Sequence, residues 1–440
     1  MIYAIKNGFD DPNFKRLVDS ISKASVLAVD TETNSLNPRN AILLSIQFFD
    51  GEDVFVVISR DETFYKYLAN LIKNKFLIFH NSKFDIAVIF EKTGILLTNI
   101  YCTMIAERLI TSGLSLSYYS SLKDLIKKYL GIEISKKERE SFYTSDVTEF
   151  TQAQIEYSAT DVVYLIDIYE KQMAEINRLD LNQVLELENK LTPVLVVSEH
   201  FGVPLDKDLW IRLSKESEEK SKEIANELLN KIVNDIFSRM NFSNALDACR
   251  VLNITKPLKS KRDVAYLMSI RDEHLIKELL LKFLNLNSPI QVKQILTEVY
   301  GLDIPDTNEK TLNKISNVPI ILDILNYREF SKSSNAFGES FLRYIEPDGK
   351  IHTNYNQLGA VTGRMSSDSP NLQNIKREEN YRRPFIASPG YKFICADYSQ
   401  EELRIMADVS NERSMIDAFN RGVDLHALTA SKLFNKSIDE

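Results

Sequence analysis

Cysteine is scarce and scattered. Cys102, Cys249 and Cys395 are the only three, the number is odd, and no two stand in a Cys-x-x-Cys pair, so neither a disulfide framework nor a zinc site is indicated. Apolar runs near the ~20 residues that span a bilayer are missing. The amino-terminal Met-Ile-Tyr-Ala-Ile-Lys lacks a basic-then-apolar leader, so no membrane partner is expected and a reducing cytoplasm fits. Cations are not in excess either: the formal charge is −8 and the isoelectric point near 5.5. That argues against a general polyanion binder, though an enzyme with metal-binding carboxylates and local Lys/Arg patches can still be acidic overall. Low-complexity tracts are absent as well. With 440 residues, 44% hydrophobic and 26% charged, the chain should form two or three folded, soluble domains.

What is present changes texture along the chain. Between Val26 and Phe79 the runs Val26–Val29, Ile42–Phe49, Val54–Ile58 and Phe76–Phe79 predict short strands separated by polar turns. Helical patterns follow at Phe84–Glu91, Thr103–Ile110, Leu122–Leu130 and Ile155–Ala174, giving an α/β unit. From Leu185 to about Phe283 long Leu/Ile/Glu/Lys segments predict helices, interrupted at Pro193, Gly202 and Pro204. A weak internal echo relates Asn241–Phe283 to Asn285–Arg328. Turns and short strands return at Ile345, with a strand expected over Ile351–Tyr355 and another over Tyr391–Ala396.

Four carboxylates stand out. Asp30-Thr31-Glu32 closes the first predicted strand and projects two acids to the same side, a pair able to hold a divalent cation. Asp85 begins a helix just after the strand Phe76–Phe79. Asp161 lies four residues after Tyr157, so the phenol and carboxylate share one helical face. Phosphodiester hydrolysis needs an activated water and charge stabilisation on both attacking and leaving oxygens, which two metal ions can supply. Oxygen ligands of this kind suit Mg²⁺ or Mn²⁺, and two ions are expected in the site.

The strings Asp30-Thr-Glu-Thr, His80-Asn-Ser-Lys-Phe-Asp85 and Tyr157-Ser-Ala-Thr-Asp161 resemble the three motifs of the DEDDy proofreading exonucleases. The resemblance implies a ribonuclease H-like 3′-5′ exonuclease domain over 1–180, with Asp30, Glu32, Asp85 and Asp161 holding the metals and Tyr157 orienting the attacking water. The single-stranded 3′ end of DNA would be the substrate.

A second group lies near the end. Phe393-Ile-Cys-Ala-Asp397-Tyr-Ser-Gln-Glu-Glu-Leu-Arg404 reads as a buried strand that delivers an acid into the start of a helix. Upstream, Thr362-Gly-Arg364 and Pro370-Asn371-Leu-Gln373-Asn374 offer polar and cationic groups suited to sugar and phosphate contacts. Asp424-Leu-His426 opens another helix. Together these resemble DNA polymerase family A. The resemblance implies that Asp397, assisted by the Tyr398 backbone, binds metal for nucleotidyl transfer, that Glu402 is a steric gate against a ribose 2′-hydroxyl, that His426 touches the incoming dNTP, and that Arg364 contacts the primer-template minor groove. Asn371, Gln373 and Asn374 fall within the DNA-binding string. Glu401 departs from the family, which has an apolar residue there.

The expected fold is therefore multidomain α/β plus α: the exonuclease domain, a helical thumb over 181–344 with an extra hairpin at about 241–284, and the first part of a polymerase palm over 345–440. The extra hairpin, with its basic Lys256-Pro-Leu-Lys-Ser-Lys-Arg262, could engage DNA or a processivity partner. Neither a fingers Lys/Tyr string nor a His-Asp-Glu turn occurs in these 440 residues. The expectation is thus a proofreading enzyme of DNA replication or repair, with negligible polymerase activity alone and a second polypeptide or missing C-terminal part completing the site. Such a split could arise in a bacteriophage, with the host cytoplasm as its location. Exposed apolar surface is expected around Leu425, Leu428 and Phe434. Alternatives are a stand-alone 3′-5′ exonuclease and an accessory DNA-binding module.

Overall fold

A mixed sheet organises the amino-terminal half of the computed structural model, which describes all residues except 114–119, 135–138, 143–149, 337 and 438–440. Its strands are β1 (Ile2–Ile5), β2 (Val26–Thr33), β3 (Leu43–Phe49), β4 (Val54–Ile58), β5 (Phe76–Phe79) and β6 (Ile100–Cys102), in the order β1-β4-β3-β2-β5-β6. β3 runs antiparallel to both β2 and β4, while β5 is parallel to β2. The Val/Ile/Leu/Phe content of these segments suits a sheet covered on both faces. Leu27 and Val29 enter one core with α1 (Phe14–Lys23), α2 (Glu62–Ile72) and α3 (Ser82–Thr93). Ala28 enters the opposite core with α4 (Thr103–Ile110), α5 (Leu122–Leu130), α6 (Gln152–Val163) and α7 (Leu165–Arg178).

Three local expectations in this half need correction. β2 does not stop at Val29 but continues to Thr33, pairing with β3 through a register shift at Glu32/Thr33. The two acids are therefore held inside a paired strand. The single helix expected over Ile155–Ala174 is broken at Tyr164, which ends α6 and begins α7. The break lets α6 pack on β2–β4 and α7 on α4 and α5. Pro193 does not interrupt α8 (Asn182–Phe201). The turn before it is held by Gln357, whose Nε2 donates to Glu188 O at 2.7 Å and Glu188 Oε2 at 2.8 Å.

The helical middle continues with α9 (Lys207–Arg239), α10 (Ala245–Val251), α11 (Lys261–Ser269), α12 (Glu273–Phe283), α13 (Pro289–Glu298), α14 (Glu309–Asn313) and α15 (Pro319–Ala336). Side chains from Leu228 to Tyr327 share one apolar core. A small antiparallel pair, Asn354–Asn356 with Ser366–Asp368, follows. Between them and the next unit lies α16 (Glu379–Arg382).

Residues 1–386 form one compact unit and 387–440 another. The second contains α17 (Glu401–Ser410), α18 (Arg413–Asn420) and α19 (Leu425–Phe434). The strand expected over Tyr391–Ala396 is not formed: the run has no regular secondary structure, and Phe393 and Ile394 are exposed. A strand needs a neighbour to take its N–H and C=O groups, and among the described residues none pairs with this run. Leu425, expected on the surface, is buried at the start of α19, while Phe434 is exposed.

Candidate active site

The period-2 alternation of β2 separates its side chains by function. Asp30 and Glu32 share the parity of Ala28 and turn toward α6, which packs on β2. Thr31 shares the parity of Leu27 and Val29 and meets the first turn of α3. Its N–H and its hydroxyl both donate to Asp85 Oδ1, at 3.0 and 2.7 Å. On α6, Tyr157 and Asp161 are one helical turn apart and hydrogen-bonded.

All five predicted exonuclease residues, Asp30, Glu32, Asp85, Tyr157 and Asp161, line one cavity of about 370 Å³. Carboxylate oxygens of Asp30, Glu32 and Asp161 lie within 4.8 Å of one another. Asp85 stands beside this trio rather than in it, fully buried against Thr31. Burial pushes its carboxyl up to about 7, against the pull of the Thr31 hydrogen bonds, and the charge of Asp161 adds to the rise. Burial, then the charges of Asp161 and Glu32, hold the Tyr157 phenol far above its usual value. It remains protonated and can donate.

An oxygen-only set of carboxylates gathered this closely fits a hard divalent cation. Asp30, Glu32 and Asp161 could hold one directly, with Asp85 at the cavity wall. Leu36, Phe84 and Met104 give the cavity apolar sides. These three and Asn81 also relate it to a larger neighbour: Leu36, Asn81, Phe84 and Met104 line both this cavity and one of about 690 Å³.

That larger space contains groups sequence reasoning did not single out. Lys83 Nζ donates to Glu199 Oε1 at 2.5 Å, Asn354 Oδ1 at 2.6 Å and Tyr355 O at 2.5 Å. The Tyr355 N–H donates to the same Glu199 oxygen at 2.6 Å. Lys83 lay inside the His80–Asp85 string, but its partners, more than a hundred residues away, leave no local signal. Thr31 was hidden likewise.

The candidate DNA-contact residues fall on the small hairpin and its continuation. Asn371 caps a short turn over Leu372–Asn374, accepting from Asn374 N–H at 3.2 Å and the Ser367 hydroxyl at 3.1 Å. Gln373 N–H donates to the Ser367 hydroxyl at 3.3 Å. Arg364, Asn371, Gln373 and Asn374 are all exposed.

In the second unit, Asp397 and Tyr398 sit exposed on the unpaired run, and Glu401 and Glu402 occupy the first turn of α17. Asp424 caps α19, accepting from the His426 and Ala427 N–H groups at 2.7 and 3.0 Å. Gln400 Nε2 donates to Asp424 Oδ2 at 2.6 Å. The amino-termini of α17 and α19 therefore adjoin, and with them the helices of Glu402 and His426, an arrangement whose dipoles favour an anion.

Residues 9–177 match the 3′-5′ exonuclease family model, and residues 260–440 match the model of DNA polymerase family A. Among curated proteins the chain is 27% identical over 441 residues to DNA polymerase I of Aquifex aeolicus, covering 98% of this chain and 68% of that protein. It is 29% identical to DNA polymerase I of Chloroflexus aurantiacus, covering 95% of this chain and 43% of the relative. The chain thus spans less than half the length of the second. Among solved structures, the POL domain of Pol1 from M. smegmatis in complex with DNA primer-template and dNTP aligns with a TM-score of 0.71 at 22% identity. The alignment covers 100% of this chain and 68% of that one, a likeness of fold.

Proposed function

We propose, for a chain that belongs to the 3′-5′ exonucleases over residues 9–177 and to DNA polymerase family A over residues 260–440, that it removes nucleotides from the 3′ end of DNA by phosphodiester hydrolysis. The observation that carries this is the gathering of Asp30, Glu32, Asp85, Tyr157 and Asp161 around one cavity.

Two divalent cations, Mg²⁺ or Mn²⁺, when bound by Asp30, Glu32, Asp85 and Asp161, supply charge stabilisation and a lowered pKa for water. The protein's own groups do the rest. Thr31 fixes Asp85 through two hydrogen bonds to one oxygen. Tyr157, kept protonated, orients the attacking water while its hydroxyl stays tied to Asp161. Leu36, Phe84 and Met104 offer apolar surface to the terminal base.

In this reading residues 1–180 are the exonuclease domain, 181–344 the thumb and 345–440 part of a palm. Arg364, Asn371, Gln373 and Asn374 contact primer-template. Asp397 and Tyr398 hold metal for nucleotidyl transfer, while Glu402 and His426 face the dNTP.

The test is digestion of a 3′-mismatched primer-template by the purified chain with Mg²⁺, beside Asp30→Ala/Glu32→Ala. Loss of 3′ nucleotides only with the unmutated protein supports the reading. Equal digestion by both, or by neither, overturns it.

A further inference from the structure

Residues 245–284 and 289–336 follow one plan. α10 and α13 are each followed within three residues by one in the left-handed region, Asn253 at φ 53° and Gly301 at φ 66°. The next N–H then folds back on the helix: Ile254 to Cys249 O at 2.7 Å, and Leu302 to Leu296 O at 2.9 Å. A short link leads to the caps of α11 and α14, Ser260 and Asn308. α11 closes with Ile270 N–H to Leu267 O, and in the turn after α14 Val318 N–H donates to Ile315 O. α12 and α15 then place Ile276 and Ile324 in the shared core. From Asn253/Gly301 through Ser260/Asn308 and Ile270/Val318 to Ile276/Ile324 the offset is a constant 48 residues. A duplicated module explains that constancy; two unrelated helical hairpins would not hold it across four landmarks.

The copies differ in their links. Residues 254–262 carry Lys256, Lys259, Lys261 and Arg262 and no acid, whereas the equivalent 302–310 carry Asp303, Asp306 and Glu309 with one cation, Lys310. The second link is tied down internally: Lys293 Nζ donates to Pro305 O at 2.8 Å, and Arg328 donates to Thr307 Oγ1 at 3.1 Å. In the first link all four cations are exposed, and none has an ion pair among the described residues. Four like charges on nine residues repel one another unless an anion lies against them. In a chain of net charge −8, this patch is a local exception.

We propose that the first copy is a duplicated thumb module specialised as a clamp on the phosphate backbone of duplex DNA behind the 3′ end, with Lys256, Lys259, Lys261 and Arg262 as its contacts. This rests on the reading of the chain as a DNA 3′-exonuclease. Phosphate contacts of this type carry no sequence preference.

The test measures binding of the full chain to a fluorescent primer-template by anisotropy across a KCl series, in EDTA to prevent digestion. The neutral variant Lys256→Gln/Lys259→Gln/Lys261→Gln/Arg262→Gln should bind at least about tenfold more weakly at low salt. Its slope of log affinity against log salt should be shallower by roughly 3.6, at about 0.9 for each of the four phosphate contacts. A variant with arginine at 256, 259 and 261 should keep the slope. Neutralising the exposed Lys15, Lys23, Lys66 and Lys73 to Gln should change it little. An unchanged slope in the link variant, or an equal fall in the control, overturns the clamp. Digestion of single-stranded oligonucleotide, measured in parallel with Mg²⁺, separates the two ideas. If it persists while the link variant binds duplex normally, only the clamp fails; if the unmutated chain neither digests nor binds, both fail.

Discussion

The Lys83 ammonium lies 2.5 Å from the Glu199 carboxylate, joining the helix that carries Asp85 to the long helix α8, and through Tyr355 O to the hairpin at 354–368. Both side chains are mostly buried, with 17% and 18% of their surface exposed. Lys83→Met leaves Glu199 with only the Tyr355 N–H and removes the Lys83 donor from two further acceptors, and should destabilise residues 1–386 by about 2 kcal/mol. Combined with Glu199→Gln the loss should be less than additive by about 1 kcal/mol. Urea unfolding of the four proteins of the cycle measures both; full additivity would sink the coupling.

Glu199 also predicts a pH dependence. Burial holds its carboxyl above the ordinary value despite Lys83 and the Tyr355 N–H pulling it down. A carboxyl raised in the folded state gives stability that is present below its unfolded pKa and is lost as pH rises through the folded value. The Tm difference between Glu199→Gln and the unmutated chain should therefore move in favour of Gln as pH rises from about 4.5. A difference that stays flat, or moves the other way, in melts between pH 4 and 7 counts against the raised value.

Thr31→Val keeps the backbone donor to Asp85 but deletes the hydroxyl at 2.7 Å. A hydrogen bond to a charged group contributes roughly 1.5–3 kcal/mol, so the rate of 3′ digestion should fall about ten- to a hundredfold. Thr31→Ser should restore most of it. Single-turnover digestion of an oligonucleotide resolves the two variants.

Leu280 and Ile324 lie in the one core shared by both copies of the repeated module. Leu280→Ala should cost about 2–5 kcal/mol and Ile324→Ala a similar amount. Each should lower the same cooperative transition rather than expose two. Differential scanning calorimetry that resolved separate transitions would show two independent cores.

Much of this was legible in the residues. The helices Thr103–Ile110 and Leu122–Leu130 were given by their periodicity, and β4 and β5 by apolar runs between turns. That Asp30, Glu32, Asp85, Tyr157 and Asp161 would gather around one cavity was legible because the hydrolysis we propose calls for those types in that order. The unseen features depend on distant partners. Thr31 and Asp85 are 54 positions apart, and Lys83 and Tyr355 are 272 apart. β1 went unnoticed because its four residues pair with β4 across the chain. Pro193 reads as a break until Gln357 is seen beside the preceding turn. The sequence Tyr391–Ala396 has strand composition, but composition cannot supply a neighbouring strand.

That last run has a consequence for handling the protein. Phe393, Ile394 and Tyr398 are 53%, 94% and 80% exposed, and among the described residues no backbone hydrogen bond engages 392–398. An apolar segment with open backbone groups is a template for adding strands from other molecules. Lys392 and Asp397 bracket it as charged gatekeepers. Neutralising both should make light scattering rise more steeply with protein concentration, whereas a further charge at Ile394 should keep concentrated solutions clear.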